Sequence, residues 1–174
     1  TKMSKARYVP DVTFKFRRGD ELPPEGGCPI GGEFYNVTTK DLFNGKRVVL
    51  FALPGAFTPT CSSRQLPGYE DLFNEFKAQG IDEIYCLSVN DAFVMGAWAR
   101  DQHTNGKVRM LGDGSADFAK ATGLTLDLTA RGMGLRSNRY SMLVKDGKVA
   151  HLNIEGPGEF KVSDAATLLG QAQA

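Results

Sequence analysis

Cysteines at positions 28, 61 and 86 are the strongest nucleophiles in this chain of 174 residues. Cys61 stands apart by its neighbours. It lies in Pro54-Gly-Ala-Phe-Thr-Pro-Thr-Cys-Ser-Ser63, beside Thr60, Ser62 and Ser63. A structural free cysteine instead behaves as a small buried hydrophobe, and Cys86, within Ile84-Tyr-Cys-Leu-Ser-Val89, fits that description. Cys28 falls in a Gly- and Pro-rich stretch. The polar surroundings of Cys61 point to thiol chemistry: nucleophilic attack, with the thiolate as the reactive form.

The elements around Cys61 support that reading. Arg47-Val-Val-Leu-Phe-Ala-Leu53 is a short apolar run rich in β-formers, expected as a strand buried on both faces. Leu66, Tyr69, Leu72, Phe73 and Phe76 recur at helical spacing in a helix expected to run to Gln79. The Cys61 stretch is therefore a strand-to-helix turn. Thr58 is placed as the N-cap and Pro59 at the first helical position, so Cys61 is the third helical residue. In a capping box that slot holds a carboxylate facing unpaired N–H groups, and a thiolate gains from the same donors and from the helix dipole.

Other chemistries are poorly supported. Cys61-Ser-Ser-Arg64 lacks the second sulfur of a Cys-x-x-Cys oxidoreductase. A cysteine hydrolase needs a histidine base, and His103 and His151 are both expected to face solvent. No Cys/His pair has metal-ligand spacing, so neither a metal nor a cofactor is expected. Gly132-Met-Gly134 lacks the third glycine of a dinucleotide site. The net charge of +1 gives no electrostatic case for nucleic acid or an anionic membrane. Three cysteines do not make an even disulfide framework, which points to a reducing, cytoplasmic setting or to an organelle reached with a targeting peptide since removed.

The remaining chain reads as the platform, one domain over residues 1–174. Val12 to Phe16 alternates as a strand with one wet face, and Phe34 to Val37 returns after a long loop, giving an N-terminal β-hairpin extension. A short helical turn follows, with Thr39 as its cap. Pro67 is expected to kink the Cys61 helix and Gly80 to end it. Asp82 to Val89 is a buried strand. Asn90 to His103 is a helix with Phe93, Val94, Ala97 and Trp98 on one face. Val108 to Leu111 is a strand and Ser115 to Thr122 a helix. Residues 123 to 136 read as loop with a short strand. Asn138 to Val144 and Val149 to Ile154 form a hairpin through Asp146-Gly147. A final helix starts with Ser163 as cap. This order implies an α/β thioredoxin-like sandwich around a central mixed sheet.

Pro54, Thr58 and Cys61, at this spacing, resemble the signature of the peroxiredoxin family. Cys86-Leu-Ser-Val-Asn-Asp-Ala-Phe-Val94, Trp98 and Arg139-Tyr-Ser-Met142 resemble its type II (peroxiredoxin five) branch, including the peroxiredoxin domain of bacterial peroxiredoxin–glutaredoxin hybrids. The match runs from about residue 8 to 170. The resemblance implies a peroxidase for hydrogen peroxide and alkyl hydroperoxides. Cys61 would attack the O–O bond and become a sulfenic acid. Thr58 would orient the peroxide, Pro54 would shield the sulfur, and Arg139 would be the cationic partner, with Arg136 the neighbour most easily confused with it. Arg100 is a weaker candidate behind these.

Relatives with two active cysteines carry a resolving cysteine in the C-terminal region, and this chain has none after Cys86. The resemblance therefore implies a one-cysteine mechanism recycled by an external thiol: glutathione with glutaredoxin, or thioredoxin. Cys28 is the remaining candidate resolving cysteine. The alternative is a peroxide sensor using the same thiol without sustained turnover. Relatives in this branch commonly form homodimers around the active-site helix, where Phe57, Phe93 and Trp98 could contribute.

Acidity alone cannot account for such an enzyme. A thiol of pKa ~8.5 is roughly 3% ionised at pH 7, so full ionisation gains only about 30-fold, about 2 kcal/mol. Enzymic accelerations need ~8 kcal/mol or more. The balance must come from holding the peroxide in line and stabilising charge on the leaving oxygen.

Overall fold

The computed structural model describes residues 8–17 and 33–174, so Cys28 lies outside the described residues. A two-stranded ladder opens the fold, β1 (Thr13–Arg17) antiparallel to β2 (Phe34–Thr38). Helix α1 (Thr39–Phe43) follows. Its cap is Thr38, not Thr39: Thr38 Oγ1 accepts from Asp41 N while the Asp41 carboxylate accepts from Thr38 N, a complete capping box. The Thr39 hydroxyl is committed elsewhere, accepting from Val12 N at 3.2 Å.

The main sheet has five strands in the order β5-β4-β3-β8-β9. These are β3 (Arg47–Ala52), β4 (Glu83–Ser88), β5 (Arg109–Gly112), β8 (Tyr140–Lys145) and β9 (Lys148–Ile154). β3, β4 and β5 run parallel, whereas β8 is antiparallel to both β3 and β9. Parallel neighbours need crossovers, and helices supply them. The β3–β4 crossover contains a π-helical turn (Cys61–Gln65), α2 (Leu66–Asp71) and α3 (Phe73–Ala78), and α4 (Ala92–Asp101) joins β4 to β5. The β8–β9 connection is the tight hairpin expected, with Asp146 and Gly147 at φ 49° and 76°.

Alternation along β3 divides the core. Val49, Phe51 and Leu53 pack with Ile84, Cys86, Cys61 and Trp98 beneath α2, α3, α4 and the terminal helix α6 (Ala165–Gln173). Val48, Leu50 and Ala52 pack with Tyr85, Leu87, Tyr140 and Met142 on the opposite face, under α1, β1 and α5 (Asp117–Thr122). The five β3 side chains named and Leu53 just beyond the strand are fully buried, each large one contributing ~1.5–3 kcal/mol. A mixed sheet with helices on both faces is a thioredoxin-like fold.

Several local expectations are corrected. The helix after Cys61 is interrupted at Leu72 (φ −97°, ψ 14°) rather than kinked at Pro67. Before Pro67 the ladder has already widened, with Leu66 N–H reaching Cys61 O, so Pro67 sits in the first turn of α2, where its missing N–H costs nothing. The stretch taken mainly as loop contains two paired strands, β6 (Thr125–Leu128) and β7 (Gly134–Ser137), around a 3₁₀ turn at Thr129–Arg131. The last helix is capped by Asp164, whose carboxylate accepts from Thr167 N, while Ser163 is buried just before it. The helical face that carries Phe93, Val94, Ala97 and Trp98 is not buried as a unit: Phe93 is 50% exposed and carries the Arg17 guanidinium over its ring at 4.0 Å, whereas Met95, Gly96 and Trp98 face the core.

Candidate functional site

The site forms at the carboxyl ends of the parallel strands, where α/β sheets open a crevice. β3 delivers Pro54, and β4 delivers Ser88 and Asn90, which hold the loop from behind. Asn90 Oδ1 accepts from Ala56 N at 3.0 Å and from Ser88 Oγ at 2.6 Å. Gly55 has no room for a side chain: a Cβ there would lie 3.1 Å from Thr58 Cγ2 and 3.2 Å from Arg136 Nη1. Phe57 takes a left-handed backbone conformation, φ 63°, unusual for a bulky residue. The loop is thus fixed by packing rather than by its own propensity.

Cys61 opens the π-helical turn and is fully buried. The expectation for Thr58 is half correct. Its carbonyl receives Ser62 N–H, as at a helix start, but its hydroxyl donates to Gly55 O at 2.7 Å instead of capping the helix. With that proton committed, the Thr58 oxygen has its lone pairs left to accept a hydrogen. The side-chain donor to Cys61 Sγ is Arg139 Nη2, at 3.3 Å.

Strand register explains how Arg139 arrives there. Ala52 pairs with Tyr140 in the antiparallel β3–β8 ladder, so the residue before Tyr140 falls beside the loop leaving β3. Arg139 N–H groups reach both Sγ and the side-chain oxygen of Gln65, through Nη2 and Nη1 respectively. Gln65 is fully buried and its Nε2 donates to Ala52 O at 3.4 Å. The two arginines close in sequence are cleanly separated. Arg136 holds Met133 O at 2.8 Å and Pro54 O at 3.4 Å, supporting the loop and not the sulfur.

Gln65 and Asn90 were not singled out from sequence. Asn90 lies within the Cys86–Val94 stretch, and its signal is a polar residue directly after a buried strand. Gln65 gave none, because only the π-helical turn brings its side chain to Arg139.

Trp98 is a core residue. It is fully buried and its Nε1 donates to Ser62 Oγ at 3.0 Å, so it cannot form an exposed subunit contact. Pro54 is half-buried at the start of the loop. Arg100 lines a cavity of about 640 Å³ between α4 and the β1–β2 ladder, with Phe16, Tyr35 and Met95. Cys86 lies on β4, fully buried, and burial pushes its thiol up, with the nearby Cys61 and Glu70 acting in the same direction. His103 is exposed and His151 half-buried on β9.

A buried thiol aligned with a guanidinium, on a thioredoxin-like scaffold, defines a thiol-based redox protein. Comparison with known proteins makes this specific. The Redoxin family profile matches residues 9–169. A peroxiredoxin of Synechocystis is 49% identical over 168 residues, covering 92% of this chain and 87% of that one. A hybrid peroxiredoxin of Haemophilus influenzae is 45% identical over 166 residues, covering 94% of this chain and 64% of its own length. The crystal structure of reduced Prx3 of Vibrio vulnificus in complex with hydrogen peroxide superposes with a TM-score of 0.86 at 42% identity, covering 98% of this chain and 99% of that one. The chain belongs to the Redoxin family as a type II peroxiredoxin, a thiol peroxidase.

Proposed function

We propose that the chain reduces hydrogen peroxide and alkyl hydroperoxides by a one-cysteine cycle at Cys61. The Cys61 thiolate attacks the terminal peroxide oxygen. An S–O bond forms with the sulfur electron pair, the O–O bond breaks, and the departing oxygen takes a proton to leave as water or alcohol. Cys61 is then a sulfenic acid. Glutathione displaces its oxygen as water, giving a mixed disulfide. A second thiol, from glutaredoxin or glutathione, then returns Cys61 to the thiol. Thioredoxin is the other candidate reductant.

The observation that carries this reading is the 3.3 Å contact between Arg139 Nη2 and Cys61 Sγ, at a sulfur that is itself fully buried. A guanidinium there stabilises the negative charge that moves from sulfur to the leaving oxygen. Thr58 accepts a hydrogen from the peroxide and so turns it in line. Pro54 keeps water from the sulfur. The kinship with a hybrid peroxiredoxin favours glutaredoxin as partner. Phe57, 53% exposed beside the site, and Phe93 supply apolar surface for a homodimer. Among the described residues no helix is long and apolar enough to cross a membrane.

The test is NADPH-coupled peroxide turnover with glutathione plus glutaredoxin, and separately with thioredoxin, for wild type, Cys61→Ser and Cys28→Ser. Activity lost only in Cys61→Ser is expected. Loss in Cys28→Ser as well would make Cys28 a resolving cysteine and replace the one-cysteine cycle.

A further inference from the structure

The mouth of the site carries a cation that the chemistry at sulfur does not use. Arg64 lies near the end of the π-helical turn, three residues past Cys61, and is exposed. Its guanidinium carbon lies 4.9 Å from the centroid of the Phe160 ring, and that of Arg139 lies 5.9 Å from the same centroid. Arg139 also touches the reacting sulfur. Half-buried Phe160 therefore forms a wall reaching from the catalytic guanidinium to the outer one.

The carboxylates of the loop bearing Phe160 are engaged elsewhere. Glu155 Oε1 accepts the N–H groups of Lys161, Val162 and Ser163 at 2.6–2.8 Å. Burial pushes the Glu155 carboxyl up, but those N–H bonds outweigh it and hold the group below its usual range, so it stays ionised and turned toward its own loop. Glu159 pairs with Lys161 Nζ at 2.9 Å. Among the described residues Arg64 is in no ion pair, and its partner is the ring. An exposed guanidinium held over an aromatic ring keeps N–H groups for a carboxylate.

Resting on the peroxidase reading above, we propose that Arg64 and Phe160 form a subsite for a small reactant bearing a carboxylate on an apolar or planar body. Phe160 takes the body and Arg64 the carboxylate, leaving the reactive end at Cys61. Two reactants have this chemistry: a carboxylated organic hydroperoxide in the first half-reaction, and a carboxylated thiol such as glutathione in the second. Arg64 and Phe160 set specificity and take no part in bond breaking.

Matched pairs separate the two. Single-turnover rates of the reduced protein are measured with cumene hydroperoxide and its para-carboxylated analogue, and resolution of the sulfenic acid with glutathione and its diethyl ester. The readout is the charged-to-neutral rate ratio, taken for wild type, Arg64→Ala, Arg64→Glu and Phe160→Ala. An exposed ion pair is worth roughly a three- to fivefold ratio. That factor is expected to disappear in Arg64→Ala, to invert in Arg64→Glu, and to shrink in wild type at high salt. Phe160→Ala is expected to slow both cumene compounds relative to hydrogen peroxide. A ratio that falls in the hydroperoxide pair identifies the substrate, and one that falls in the thiol pair identifies the reductant; either supports the subsite. Ratios unchanged by both Arg64 substitutions in both steps would overturn it. Failure of wild type to consume hydrogen peroxide at all would instead overturn the peroxidase reading beneath it.

Discussion

Cys61 and Cys86 are both fully buried and line the same apolar cluster, yet only one is placed for chemistry. Cys86 sits mid-strand, paired across from Phe51, where burial pushes its thiol up and away from ionisation. Cys61 sits at the strand-to-helix junction with Arg139 Nη2 at 3.3 Å. Burial does not separate an inert cysteine from a reactive one. What separates them is whether the fold delivers a cation to the sulfur.

The widest split between the two is expected on substitution. Cys61→Ser is expected to abolish peroxide reduction, because a hydroxyl cannot take its place in this redox step. Cys86→Ser is expected to keep peroxide reactivity within a few-fold and to lose stability by about 1–3 kcal/mol in denaturant unfolding, from a hydroxyl buried among apolar side chains. Loss of peroxide reactivity in folded Cys86→Ser would break the comparison.

A smaller effect sharpens the role of the cation. Gln65→Leu removes the second anchor of Arg139 while leaving Arg139 present. Looser placement is expected to cost about tenfold in peroxide rate at single turnover, well short of removing Arg139 itself. Stability is expected to fall by about 1–3 kcal/mol, because Arg139 Nη1 and Ala52 O both lose Gln65 as a partner.

The smallest effect lies on the Cys86 side. Burial raises the Glu70 carboxyl to about 7, partly offset by Lys107. A carboxyl raised in the folded state binds its proton more tightly there than when unfolded. Its contribution to stability is therefore full below the ordinary carboxylate range and is lost as pH rises through about 7. Thermal melts should fall from pH 5 to pH 8 in wild type, and Glu70→Gln should flatten that slope. Identical slopes would show that Glu70 is solvated.

The contrast between the cysteines was legible in the sequence, and so was the scaffold. Polar neighbours and a strand-to-helix junction marked Cys61, and β-formers on both sides marked Cys86 as core. β3, β4 and β8 were legible because buried strands leave dense apolar runs bounded by turn residues, and β9 because Asp146-Gly147 marks a hairpin. Less legible was whatever depends on tertiary partners. Phe93 shares a helical face with Trp98 by spacing, yet only Trp98 is buried, and Phe93 stacks under Arg17 outside the core. The caps Thr38 and Asp164 each stand one residue from an equally suitable Thr39 and Ser163, and only the backbone course decides between neighbours. Gln65 reaches Arg139 through a π-helical register that no local periodicity announces.

The central claim is that Arg139 acts on the transition state and does more than ionise the thiol. The most direct measurement is the second-order rate of hydrogen peroxide with reduced wild type and Arg139→Ala at pH 7, by stopped flow. Ionisation alone is worth at most about 30-fold for a thiol of ordinary acidity. A loss far beyond 30-fold is the predicted result, and a loss of 30-fold or less would contradict the account.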